Sequence, residues 1–240
     1  MINNIQCVAF AHQMTKSMKS LGPKGMLCFK YGRIEKPVIL HHFQSIKKLF
    51  DVKKYRMSFK TTIGFEQEKF LLLKNNKQLG LCSIDNHKNT NHGKILKDIL
   101  CDYDPSRFCG IFISSDISIL FKKKIDMNIK KNYIFYTEQK DFDSDITCNI
   151  EDNKVEYLFF ETSGYLWTGC CFFCNDTIKI INKINKENNT DNIFLMELIN
   201  KLISLNQDFI PNKLLKQNIL QVKNNQLKKY SIKKRKKDIK

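Results

Sequence analysis

The apolar residues of this chain come in short clusters, none longer than a core strand requires. Tyr157-Leu158-Phe159-Phe160 and Cys170-Cys171-Phe172-Phe173-Cys174 are among the longest. Both fall far short of the ~18–20 apolar residues that cross a bilayer. The chain must therefore fold as many short elements around a packed core. Its material suffices: 42% of the 240 residues are hydrophobic and 18 are Phe, which excludes global disorder. Only 4 Pro and 9 Gly argue against long linkers. Residues 2–14 show no basic stretch ahead of an apolar run, and Gln6, His12 and Gln13 interrupt their apolar positions. The expectation is a protein of the cytoplasm or nucleus with no membrane span.

Periodicity assigns the elements. Ile5, Val8, Ala9, Ala11, Met14 and Met18 recur at helical spacing, so a helix is predicted over 4–20, ended by Gly22-Pro23. Short strands follow at 26–31 and 37–40 around a turn at Gly32, then a helical turn or two carrying Phe43, Ile46, Leu49 and Phe50. The runs 70–73 and 79–84, parted by polar residues, read as a hairpin. A helix is predicted over 94–100 and strands over 110–114 and 133–137, with a weaker one at 117–121. A second hairpin joins 155–160 to 165–173 through Ser163-Gly164. Helices at 176–187 and 192–206 close the pattern, which dissolves after 222. That order predicts an α+β fold: an N-terminal helix, antiparallel strands and hairpins in the middle, and C-terminal helices. It also predicts one domain over 1–222 and a basic, disordered tail over 223–240.

The formal net charge is +17, and the tail holds about half of it, with nine Lys or Arg against Asp238. Lys228, Lys229, Lys233, Lys234, Arg235, Lys236 and Lys237 are candidates for polyanion binding or a nuclear address. Tyr230 alone interleaves them, so base stacking is not indicated. The nine cysteines are Cys7, Cys28, Cys82, Cys101, Cys109, Cys148, Cys170, Cys171 and Cys174, an odd number that suits free thiols in a reducing compartment.

Among motifs, Ser20-Leu21-Gly22-Pro23-Lys24-Gly25-Met26 stands out. Its glycines let backbone N–H groups approach an anion closely, and Lys24 adds a cation beside them. The string resembles the nucleotide-phosphate loop of group II chaperonins, which also follows a helix. The resemblance covers about fifty residues, from Ile5 to Val52, with Gly32 at the family's turn, Ile39 in its second strand and Ile46 in its next helix. It implies that Leu21, Gly22, Pro23, Lys24 and Gly25 descend from a phosphate loop. His41-His42-Phe43 stands where that family has Asn-Asp-Gly, and no Gly-Asp-Gly-Thr-Thr follows. The resemblance therefore implies a degenerate relative without ATPase chemistry, similar to the McKusick–Kaufman and Bardet–Biedl chaperonin-like proteins, some of which assist assembly of a ciliary trafficking complex.

Other constellations are incomplete. Cys171-Phe172-Phe173-Cys174 is a C-x-x-C, and His87 and His92 complete a Cys₂His₂ set only by arithmetic. The Phe residues instead indicate a strand that sends the two thiols to opposite faces. Asp141, Asp143 and Asp145 have calcium-loop spacing but lack the required Gly, the position being Ile146. The paired His41 and His42 would diverge on a strand. No Ser–His–Asp or Cys–His set, Walker loop or dinucleotide fingerprint is present. The chain is thus expected to be non-catalytic and to work through macromolecular contacts. A chaperonin-like assembly factor with protein partners is the first reading, and a nuclear or nucleolar protein binding nucleic acid through its basic surface and tail is the alternative. No metal, cofactor or catalytic residue is expected. A chaperonin relative should pack helix 4–20 on a long C-terminal helix; a binding module should hold a self-contained sheet within 56–173.

Overall fold

The computed structural model describes residues 5–10, 25, 27–49, 55–62, 82–87, 96–97, 99–100, 103–187, 193–223 and 226. Its centre is a mixed sheet, and the chain enters that sheet at once. Strand β1 (Ile5–Phe10) lies parallel between β4 (Tyr55–Thr62) and β6 (Gly110–Ser114), and β5 (Cys82–His87) extends the parallel set beyond β4. The main path also takes in β9 (Ile146–Glu151), β10 (Lys154–Phe160) and β11 (Leu166–Cys174), in the order β10-β9-β11-β6-β1-β4-β5. Strand β8 (Asn132–Thr137) pairs with β11, and β12 (Phe209–Lys213) pairs with β8. Two small ladders stand apart: β2 (Cys28–Tyr31) with β3 (Ile34–Pro37), and β7 (Ile119–Phe121) with β13 (Ile219–Gln221).

Alternation along the strands divides the core in two. Ile5, Cys7 and Ala9 of β1, Phe112 of β6, and Cys170, Phe172 and Cys174 of β11 face one cluster, with α1 (Val38–Leu49) and β7. Val8, Ile111, Ile113, Cys171 and Phe173 face the other, with α2 (Asn175–Glu187) and α3 (Leu195–Ser204). Strand β6 is buried at all five positions because both of its faces are covered. It accepts only Gly at 110, where a Cβ would sit 2.3 Å from Phe172 Cζ and 2.7 Å from the Phe173 carbonyl oxygen. Helix α3 buries Leu195, Leu198, Ile199 and Leu202, and Glu197 accepts a 2.7 Å bond from the Phe194 N–H at its start.

The expected α+β order with an N-terminal helix is corrected here. Residues 5–10 are a central strand: covered on both sides, β1 loses the period-two signal, and its apolar residues imitate helical spacing. The rest of the 4–20 prediction lies outside the described residues. Ile39, expected in a strand, belongs to α1, whose Val38, Ile39, Phe43, Ile46 and Leu49 are buried along one side. The expected pairing of 155–160 with 165–173 is also corrected. β10 pairs with β9 through a tight turn at Asp152 (φ 46°) and Asn153 (φ 60°), residues that tolerate left-handed backbone. Strand β5 runs parallel to β4; the expected hairpin of 70–73 with 79–84 lies largely outside the described residues.

Other elements agree with their predictions. β2 and β3 flank Gly32, β6 spans 110–114, β8 and both late helices fall within a few residues of expectation, and Leu96, Ile99 and Leu100 are helical and buried.

Candidate active site

Parallel strands direct their carboxyl ends to one edge of a sheet, and the loops leaving that edge are where α/β proteins bind ligands. In this chain β1 ends at Phe10, beside β6, with Ala9 in register with Ser114. β6 continues into Ser115 and Asp116. The sequence that follows β1, residues 11–24, carries Lys16, Lys19 and Lys24 and no acidic residue. Helix α1 and the β2–β3 ladder follow it.

Asp116 is fixed by its own loop. Oδ1 accepts a 2.8 Å bond from the Ser118 N–H, and Oδ2 accepts a 2.6 Å bond from Ser118 Oγ. Across from it β11 departs from regular pairing between Trp167 and Cys170. At that irregularity Gly169 adopts φ +72°, and its carbonyl accepts the Ser115 N–H at 3.0 Å. A Cβ on Gly169 would stand 2.3 Å from Ser115 Oγ. Glycine therefore lets the β11 backbone approach the end of β6 closely.

Between them opens a cleft of about 140 Å³, lined by Ser115, Asp116, Asp143, Trp167, Gly169 and Gln221 among others. Three contacts brace its walls. Ser144 Oγ donates to the Trp167 carbonyl at 2.8 Å, and Thr168 Oγ1 donates to the Phe135 carbonyl at 2.7 Å. The Gln221 amide clamps Asp143 through both backbone groups, accepting its N–H at 2.7 Å and donating to its carbonyl at 2.9 Å. The braced cleft thus counts two acidic residues, Asp116 and Asp143, in its lining.

Burial depresses the His42 imidazole to about 4; its bond to the Ile119 carbonyl, 2.8 Å away, and the charge of Asp116 only partly oppose this. His42 is therefore neutral, donating through Nδ1, and Nε2 is buried without a partner. His41 instead reaches the Phe29 carbonyl at 2.8 Å, so the two rings serve different contacts. Cys170 and Cys171 are poor nucleophiles. Burial pushes Cys170 up to about 12 and Cys171 well above its ordinary value. Cys171 and Cys174 enter opposite core clusters, as their strand spacing implied.

Of the phosphate-loop residues anticipated from sequence, Gly25 is described, and it is buried; Leu21, Gly22, Pro23 and Lys24 are not. The seven cations of the tail, Lys228 to Lys237, and His92 also lie outside the described residues. Sequence reasoning missed Asp116. Its signal was present: Gly110-Ile111-Phe112-Ile113-Ser114 is an uninterrupted core strand, followed at once by Ser115-Asp116. A strand without alternation indicates a parallel sheet, and an acid just past its end occupies the functional edge.

No protein-family model and no curated protein matches the sequence. Solved structures do. The nucleoside-diphosphate-sugar pyrophosphorylase from Vibrio cholerae RC9 superposes with a TM-score of 0.68 at 13% identity, over 95% of this chain and 99% of that one. The inositol-1-phosphate CTP transferase from T. maritima gives 0.68 at 12%, over 95% of each chain. The CTP:phosphocholine cytidylyltransferase from Streptococcus pneumoniae gives 0.69 at 13%, over 95% and 98%.

These likenesses overturn the group II chaperonin resemblance: the structures sharing this fold are nucleotidyltransferases, and residues 5–10, expected to open an N-terminal helix, are a central parallel strand. The expectations of a non-catalytic assembly factor, and of a nucleic-acid-binding protein as its alternative, fall with it: the proteins sharing this architecture are pyrophosphorylases and cytidylyltransferases, which are enzymes. Among the described residues no helix is long and apolar enough to cross a membrane. Over nearly its whole length, the chain has the fold of the nucleotidyltransferases.

Proposed function

We propose that this protein is a nucleotidyltransferase, joining the nucleoside monophosphate part of a nucleoside triphosphate to a small phosphorylated acceptor. One observation carries the reading: β4, β1 and β6 run parallel, so Asp116 stands at the carboxyl edge where β1 also ends, and the lysine-bearing sequence 11–24 comes next after β1, in the fold of enzymes named for this reaction. An acceptor phosphate oxygen attacks the α-phosphorus, the bond to the β-phosphate oxygen breaks, and pyrophosphate leaves with the electron pair. Such transfers are promoted mainly by positioning and by opposing the charge on the phosphates.

Leu21, Gly22, Pro23, Lys24 and Gly25 are the proposed triphosphate loop, with glycine backbone N–H groups and the Lys24 ammonium meeting the departing pyrophosphate. The cleft beside Asp116 is the proposed acceptor side. Asp116 fits a divalent cation shared with the triphosphate. Ser118 holds the Asp116 carboxylate just past the end of β6, and Mg²⁺ typically takes only one or two carboxylates plus substrate phosphates. Such a cation would neutralise phosphate charge. The division into a single domain over 1–222 and a basic tail over 223–240 stands as part of the same proposal.

Titration calorimetry with each of the common nucleoside triphosphates tests the binding half. One triphosphate is expected to bind, and Lys24→Ala is expected to weaken it about ten-fold or more, the loss of one charge-assisted contact. Failure of every triphosphate to bind at millimolar concentration would rule the reading out.

A further inference from the structure

Two exposed hairpins on this molecule carry opposite charge. The β9–β10 hairpin displays Tyr157, 48% exposed, and Phe160, 73% exposed. Glu151, Asp152, Glu156 and Glu161 are all exposed around them. Its one cation, Lys154, is already paired with Asp208 at 2.9 Å. The hairpin is therefore an acidic, aromatic surface on a chain of net charge +17. It is also stiff: the Asn200 amide holds the backbone N–H and carbonyl of Leu158, each at 2.8 Å, and the Tyr157 and Phe159 rings lie 5.3 Å apart.

The β2–β3 hairpin has the opposite character. Tyr31 is 38% and Ile34 59% exposed. Lys30 and Arg33 are exposed and Lys36 is half-buried, against the single acid Glu35. It too is braced, with Tyr31 6.5 Å from Phe29 and 6.1 Å from His41 between ring centres. Preformed surfaces lose little freedom on docking.

We propose that these hairpins are the two halves of one head-to-tail contact, and that the partner is a second copy of this chain. Charge decides the arrangement. A twofold contact through β9–β10 would set four carboxylates against four, and one through β2–β3 would set cations against cations; either opposes association. Acidic hairpin on basic hairpin removes both penalties and covers Phe160, Tyr31 and Ile34 together. A head-to-tail contact leaves one free hairpin at each end, so the assembly grows with concentration unless it closes into a ring.

Sedimentation velocity of the full chain tests this. Raising the protein to about 100 μM, where contacts of micromolar affinity populate, is expected to at least double the weight-average mass at low ionic strength. The rise should shrink in about 1 M salt, where the screening length is about 3 Å. Two variants sharpen the test: Glu156→Gln with Phe160→Ser on the acidic hairpin, and Arg33→Gln with Ile34→Ser on the basic one. Each alone is expected to sediment as a monomer. Mixed in equal amounts, they retain one intact pair of surfaces and are expected to form dimers and nothing larger. A wild-type protein that stays monomeric, variants that associate as wild type does, or a mixture that stays monomeric would each overturn the proposal. All four residues are exposed, so unchanged unfolding transitions of the variants separate lost contact from lost fold.

Discussion

Replacing Gly169 with Ala tests how the cleft is shaped. At φ +72° an L-residue pays roughly 1–2 kcal/mol for left-handed backbone. The new Cβ would also lie 2.3 Å from Ser115 Oγ, while Ser115 Cβ, at 3.6 Å, is in ordinary contact. The hydroxyl must therefore rotate away, at about 0.5–1.5 kcal/mol for a displaced rotamer. The total is about 1.5–3.5 kcal/mol, or a fall in Tm of roughly 3–14 °C for a chain of this size. Urea unfolding of Gly169→Ala, Ser115→Ala and the double variant separates the two parts. Removing the Ser115 hydroxyl is expected to recover the steric share, a coupling of about 0.5–1.5 kcal/mol, and to leave the backbone share. Additive single effects would show that Gly169 is not needed for the close approach of β11 to the end of β6.

Three further outcomes are expected. Gly110→Ala, whose Cβ would meet backbone and ring atoms of β11 inside 3 Å, should cost about 3 kcal/mol or more in urea unfolding, whereas Gly32→Ala (φ +60°, open space) should cost only about 1. Because His42 is depressed to about 4 in the folded chain, the unfolded chain takes up the proton first; stability should be full above pH ~6.5 and fall by up to about 3 kcal/mol toward pH 4, and His42→Gln should flatten that part of the profile. Asn200→Ala, which strips both bonds from Leu158, should destabilise by about 1–3 kcal/mol, measured by thermal melts.

What the sequence disclosed follows the physics of exposure. Helices α2 and α3 and the Gly32 turn are legible because one face meets water and the pattern records it. Strand β1 is buried on both sides, so Cys7, Val8 and Ala9 carry no alternation to read. Pairing is non-local: Asp152-Asn153 was a readable tight-turn signal for β9–β10, but nothing near Ile5 announces that Tyr55 and Ile111 flank its strand. The site suffered most, because it exists only where strand ends converge. Asp116 looked like one acid among many until β6 stood beside β1. The Gly-Pro-Lys-Gly string was attached to the wrong fold, since a short glycine-bearing string with a lysine suits more than one architecture.

The central claim is nucleotidyl transfer, and product formation tests it most directly. The full chain, with Mg²⁺ and each nucleoside triphosphate, is incubated with phosphorylated sugars, polyols and amino alcohols, and products are read by mass spectrometry alongside released pyrophosphate. The account predicts one nucleoside-diphosphate-linked product formed in equal amount with pyrophosphate, and a fall of about 100-fold or more with Asp116→Asn, the scale of losing a charge-organising group. Nucleotide binding without any such product, or a product rate indifferent to Asp116, would contradict it.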